Sequence, residues 1–172
     1  VPDQLKALIR DIPDFPKPGI VFKDITTLLA DGPGFARAVD LMAKRYEGRG
    51  IDRVVAMEAR GFILGAPLAL RLKAGFVPVR KKGKLPHDTI EESYALEYGQ
   101  DTLQMHKDAL IKGHRVLVVD DVLATGGTAA AVARLVKQLE AEIVECTFLM
   151  ELAALKGRDK LAPIPTFALI RY

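Results

Sequence analysis

The stretch Val116-Leu117-Val118-Val119-Asp120-Asp121-Val122-Leu123-Ala124-Thr125-Gly126-Gly127-Thr128 decides how the chain folds. Val116 to Val119 form an unbroken apolar run rich in β-branched residues. Such a run reads as a strand covered on both faces, because a half-exposed strand would alternate. Two carboxylates follow, then a glycine pair framed by threonines, then an apolar-periodic run from Ala129 that reads as a helix. A buried strand that feeds Gly126-Gly127 into a helix N-terminus makes an anion site, since unpaired backbone N–H groups and the positive end of the helix dipole converge there. Thr125 and Thr128 add hydroxyl donors. The loop has neither the Lys-Ser/Thr of the Walker pattern nor the Gly-x-Gly-x-x-Gly of the dinucleotide fingerprint, so it is a phosphate loop of a third kind. Asp120 and Asp121 would repel a bare anion, so the ligand must also carry groups that carboxylates accept, such as sugar hydroxyls. An extended chain spans up to roughly 3.5 Å per residue, which puts the acids about one ribose away from the loop. A ribose 5-phosphate answers both demands. The bland alternative is a tight strand-to-helix turn with solvated acids.

Outward from this stretch, strands are expected at 53–57, 76–80, 115–120, 142–150 and 166–171, short and apolar with little alternation. Helical spacing of apolar residues marks 34–46, 62–72 and 128–139 between them. Strands alternating with helices give an α/β fold with a central, mostly parallel sheet flanked by helices. Residues 2–10 read as a short helix, after which Pro13, Pro16, Pro18 and Gly19 force a non-helical path, so that 1–33 forms a small N-terminal cap. The charged segment 81–92 reads as a flexible lid loop carried on a β-ribbon of 93–98 and 102–106. With no repeat, low-complexity tract or linker, residues 1–172 are expected to be a single domain.

Composition narrows the class. The chain has 25 basic and 22 acidic residues and one cysteine, Cys146. That balance is too even to argue for nucleic acid, and no apolar run is long enough for a membrane span. One cysteine leaves no intrachain disulfide, and Val1-Pro2-Asp3-Gln4 lacks a signal-peptide profile, so a cytoplasmic address is expected. His87, His106 and His114 are isolated, and no set of residues has the spacing of a dedicated zinc or iron site.

The order of apolar strand, two acids and Thr-Gly-Gly-Thr loop is similar to the signature of the type I phosphoribosyltransferases. The resemblance implies that Ala124, Thr125, Gly126, Gly127 and Thr128 hold the 5-phosphate of phosphoribosyl pyrophosphate and that Asp120 and Asp121 contact the ribose hydroxyls. Asp14-Phe15-Pro16-Lys17-Pro18-Gly19-Ile20-Val21-Phe22-Lys23-Asp24-Ile25 resembles the adenine-specific branch of that family, as do Glu58-Ala59-Arg60-Gly61-Phe62 and Gly83-Lys84-Leu85-Pro86. Where many adenine-type relatives have proline before that glycine, this chain has Lys82.

The implied reaction moves ribose 5-phosphate onto adenine, giving AMP and pyrophosphate. Val21 and Lys23 would recognise adenine through backbone groups, with Phe22 stacked on one face and Leu123 packed on the other. A 6-oxopurine would then set a carbonyl against a backbone acceptor. Arg60, with Glu58 and Ala59 at a strand end, is the pyrophosphate candidate. Lys81 and Lys84, with Arg80 and Lys82, form a second basic group able to close over it. Glu97 matches the family's acid/base position, with Tyr98 beside it. Mg²⁺ would arrive bound to phosphoribosyl pyrophosphate, with no direct protein ligand, and a homodimer is implied. Two rivals stand: a regulatory protein that binds the donor without turnover, and a transferase for another base.

Overall fold

The computed structural model describes residues 2–96 and 98–172. Among them the chain opens with α1 (Pro2–Lys6), β1 (Arg10–Pro13), β2 (Val21–Asp24) and α2 (Thr26–Ala30). There follow α3 (Gly32–Tyr46), β3 (Arg53–Met57), α4 (Arg60–Leu72), β4 (Gly75–Lys81), β5 (Thr89–Ala95) and β6 (Gln100–His106). The chain closes with β7 (Arg115–Leu123), α5 (Gly127–Gln138), β8 (Glu142–Glu151), α6 (Arg158–Leu161) and β9 (Thr166–Arg171).

The main sheet runs β5-β6-β4-β3-β7-β8-β9. Strands β4, β3, β7, β8 and β9 are parallel, and β6 and β5 add an antiparallel edge. Val116, Leu117, Val118 and Val119 are at most 2% exposed, because α4 covers one face of the sheet and α5 the other. One apolar cluster joins Leu5, Leu28, Met42, Leu64 and Leu68 to Leu117 and Val119. The other joins Val132, Leu135 and Val136 to Val55, Val77, Val116 and Val118. Asp31 caps α3 by accepting the Gly34 N–H at 2.7 Å, and Pro33 occupies the first turn, where its missing N–H costs nothing.

From β3 the chain crosses through α4 to β4 on one side, whereas from β7 it crosses through α5 to β8 on the other. The carboxyl ends of β3 and β7 thus flank a topological switch point, where two consecutive loops diverge and leave a crevice.

The structure refines three expectations. The first helix stops at Lys6, and residues 10–13 pair with 21–24 as an antiparallel ribbon. These strands are too short and too exposed to show a period. Strand β7 continues three residues past Asp120, through both acids. Of segment 81–92, only 82–88 lies outside strands: Lys81 ends β4, and β5 begins at Thr89. The acidic run Glu91-Glu92 is tolerated in that edge strand because Gln104, Lys82, Arg134 and Gln138 take up its charge. Residues 82–88 cross beside β6, held by the Gly83 N–H on Gln104 Oε1 at 3.0 Å.

Two buried carboxylates tie the sheet to its surroundings. Glu145 receives Arg45 at 2.7 and 2.9 Å and the Tyr46 hydroxyl at 2.7 Å. Burial alone would push Glu145 up, but the Arg45 and Tyr46 hydrogen bonds outweigh it and hold the carboxyl below its ordinary value. Glu151 receives Arg158 through two hydrogen bonds of 2.8 Å, and these lower it despite its burial. Both groups titrate lower in the folded than in the unfolded chain. Their contribution is therefore complete above the unfolded value of about 4.3 and is lost as pH falls through the folded values. Thermal unfolding followed down from about pH 6 should show stability falling below about pH 4.3. Glu151→Gln should be less stable at the upper end and lose less on acidification, and an unchanged acid slope would contradict this account.

Candidate active site

At the switch point lies a cavity of about 350 Å³. Glu58, Ala59 and Arg60 border it from the β3 side, and Asp120, Asp121, Val122, Leu123 and the loop Ala124, Thr125, Gly126, Gly127 and Thr128 from the β7 side. Two segments some sixty residues apart in sequence are thereby brought to one crevice.

The loop owes its shape to glycine. Gly126 has φ +85°, a left-handed conformation that side chains resist, and it caps the N-terminus of α5. A Cβ here would also run into the Gly157 carbonyl oxygen, and a Cβ on Gly157 would run into the Ala124 carbonyl oxygen and come 2.8 Å from Leu123 Cδ1. The loop is therefore seated on the Gly157 backbone, and the first amides of α5 are left to face the cavity. Gly157 was not legible as a site residue, since a lone glycine between Lys156 and Arg158 carries no signal. Gly61 plays a similar part under the acids, where a Cβ would come within 2.9 Å of Asp120 Oδ1.

The two acids differ. Asp121 is 3% exposed, and its Oδ2 lies 2.9 Å from Arg60 Nε. That contact joins opposite charges without hydrogen-bond alignment, so Asp121 Oδ2 is a buried acceptor with no donor. Asp120 Oδ1 accepts the Asp121 N–H at 2.9 Å. Burial, reinforced by the adjacent Asp121 charge, pushes Asp120 well above the ordinary carboxylate range. The site thus holds one carboxylate paired to a cation beside a second that favours its proton.

Phe22 on β2 reaches the same place, with the Arg60 guanidinium 5.8 Å from its ring centre and Phe15 packed edge-on at 5.3 Å. Val21 is exposed, and the Lys23 ammonium pairs with Asp11 at 2.7 Å. Because β2 has one neighbour, every second residue along it presents its backbone N–H and C=O away from the ribbon. Leu123 corrects an expectation: it borders the cavity, but its side chain is 1% exposed within the α5-side cluster, under the loop. The half-buried neighbour Val122 also borders the cavity and packs on the other apolar cluster, the one that includes Leu5 and Ile25. Val122 thus presents apolar surface at the cavity's edge, whereas the Leu123 side chain is almost wholly covered.

Of the basic group expected over pyrophosphate, Arg80 meets a residue that borders the cavity, its Nε 3.3 Å from Glu58 Oε1. The same Glu58 oxygen accepts the Lys81 N–H at 2.8 Å. The Lys81 ammonium turns to Asp101 at 3.3 Å, and Lys84 is exposed. Neither borders the cavity. Tyr98, in the turn between β5 and β6, is 88% exposed and also stands apart from it. Glu97 lies outside the described residues. The α5 amides can take a phosphate, the acid pair can take hydroxyls, and Arg60 can take a second anionic group.

Comparison with known proteins agrees with this geometry. Residues 25–165 match the model of the phosphoribosyl transferase domain. An adenine phosphoribosyltransferase of Geotalea uraniireducens is 59% identical over 170 residues, covering 99% of each chain. The crystal structure of an adenine phosphoribosyltransferase from Thermoanaerobacter pseudethanolicus superposes with a TM-score of 0.96 at 52% identity, covering 100% of both chains. That from Saccharomyces cerevisiae, complexed with an imino-altritol bisphosphate and adenine, superposes at 0.94 with 42% identity over 98% of this chain and 97% of its own. The chain belongs to the phosphoribosyltransferase family and, within it, to the adenine phosphoribosyltransferases.

Gly157→Ala should force the loop off its seat. Binding of inorganic phosphate, measured by calorimetry, should weaken about tenfold, or ~1.4 kcal/mol, toward the lower end of the ~1–3 kcal/mol that overpacking costs. Gly32→Ala, where a Cβ meets nothing within 4 Å, is the control. Equal phosphate affinity in the two variants would remove Gly157 from the site.

Proposed function

We propose that this chain transfers the 5-phosphoribosyl group of phosphoribosyl pyrophosphate to N9 of adenine, releasing pyrophosphate and forming AMP. The observation that carries this is the meeting, at one switch point, of an acid pair, a helix-capping phosphate loop and an arginine that also touches the Phe22 ring. The 5-phosphate sits on residues 124–128, the 2- and 3-hydroxyls on Asp120 and Asp121, and the purine between Phe22 and Val122. Backbone groups of Val21 and Lys23 read the adenine edge.

As the N9–C1′ bond forms and the bond from C1′ to pyrophosphate breaks, positive charge grows on the ribose ring and negative charge on the leaving group. Asp121 stabilises the first, and Arg60, released from Asp121 toward the leaving group, the second. Arg80, Lys81 and Lys84 add positive charge on the leaving-group side. Glu97, with Tyr98 beside it, takes the proton that adenine loses at N9.

The described residues contain no grouping of three or more acidic, histidine or cysteine side chains suited to a metal ion. In this reading Mg²⁺ arrives with phosphoribosyl pyrophosphate, and it would neutralise charge on the leaving group. Residues 1–172 act as one domain, with 1–33 as base-binding cap and 81–106 as lid. A homodimer belongs to the same proposal, and Ile63 and Leu70, 40% and 81% exposed on α4, offer an apolar stripe for it. Among the described residues no helix is long and apolar enough to cross a membrane. A single cysteine, Cys146, which leaves no intrachain disulfide, suits a cytoplasmic setting.

The test is a spectrophotometric assay with Mg²⁺, phosphoribosyl pyrophosphate and, separately, adenine, hypoxanthine, guanine and orotate. Nucleotide should form with adenine alone, whereas product from another base would overturn the roles of Val21 and Lys23. Asp121→Asn should lower kcat/KM by at least about tenfold with the fold intact, since it removes a charge that acts in the transition state. Phe22→Ala should raise the KM for adenine and spare that for the donor.

A further inference from the structure

One contact reaches the phosphate loop from outside the cavity. The Tyr94 hydroxyl on β5 lies 3.3 Å from Thr128 Oγ1. Its ring covers the start of α5, where Cδ2 would be 3.6 Å from a Cβ on Gly127. The approach is built, because one face of α5 docks the ribbon. Arg134 Nε reaches Glu92 at 3.1 Å, and Gln138 Nε2 reaches the Glu92 carboxylate at 2.7 Å and the Glu91 carbonyl at 3.2 Å.

A threonine hydroxyl has one hydrogen to give and two lone pairs to receive. In this structure the geometry lets Thr128 give its hydrogen to Tyr94. An anion on the α5 amides is the stronger acceptor and claims that hydrogen. Tyr94, itself both donor and acceptor, can then turn its own O–H into a Thr128 lone pair, and the two bonds polarise each other in series.

We propose that Tyr94 is a positioning residue. It orients the Thr128 hydroxyl toward the 5-phosphate and thereby couples the docking of the β5–β6 ribbon to occupancy of the phosphate loop. The proposal rests on residues 124–128 being the 5-phosphate loop. By linkage, a bound phosphate strengthens ribbon docking as much as docking strengthens phosphate binding.

Calorimetry with ribose 5-phosphate on wild type, Tyr94→Phe, Thr128→Val and the double variant tests it without turnover. Wild type that fails to bind ribose 5-phosphate overturns the phosphate-loop assignment itself, and the proposal with it. Given wild-type binding, Tyr94→Phe should weaken it about fivefold, the scale of one ordinary hydrogen bond. In the Thr128→Val background the same change should have no further effect. In the assay, Tyr94→Phe should raise the KM for phosphoribosyl pyrophosphate by a similar factor and leave kcat and the adenine KM unchanged. Unaltered ribose 5-phosphate binding in Tyr94→Phe, or an equal loss with and without the Thr128 hydroxyl, would overturn the role, the second outcome assigning Tyr94 to ribbon packing alone.

Discussion

At Gly126 the chain must leave β7, reverse into α5 and expose the first amides of that helix within a few residues. It can do so because Gly126 takes a positive φ and because Gly157, also without a side chain, receives it backbone to backbone. A side chain at either position would lift the loop from its support and move the amides that face the cavity. Strand β7 has to end at a fixed height for this to work, and the covering of Val116 to Val119 by both helical layers sets that height. Arg158, next to Gly157, is held by two hydrogen bonds to buried Glu151, so the support beneath the loop is anchored in β8.

Electrostatics then sorts the crevice. Asp121 is paired with Arg60, whereas desolvation and the adjacent Asp121 push the half-buried Asp120 well above the ordinary carboxylate range. Within the chain, Arg60 is thus occupied by an internal acid, and Arg80 likewise by Glu58. A ligand that brings hydroxyls for the acids and anionic groups for the arginines can exchange both internal pairs for its own. An anion without hydroxyls leaves the acids unanswered. That asymmetry suits a phosphorylated sugar that carries a second anionic group.

Much of this was written in local sequence. The Val116–Thr128 stretch announces its strand, acids and loop because each needs a particular residue type in a fixed order. The alternation of apolar strands and periodic helices likewise gives the sheet. Three things were not legible, each for a physical reason. Gly157 matters through a close approach between distant segments, which leaves no local mark. The cap strands at 10–13 and 21–24 are too short for a period. The different surroundings of Val122 and Leu123 arise where β7 runs on past the acids, and its side chains there cannot be assigned to a face by counting alone. Glu58, Ala59 and Arg60 are legible at the strand end, but only the fold brings Arg60 against Asp121 and Phe22.

The central claim is that one crevice holds phosphate, ribose and purine on the parts named here, and a crystal structure of the chain with AMP tests it most directly. The account predicts the phosphate on the amides of residues 125–128, the ribose hydroxyls on Asp120 and Asp121, and the purine between Phe22 and Val122. A phosphate bound elsewhere, or a purine remote from Phe22, would contradict it.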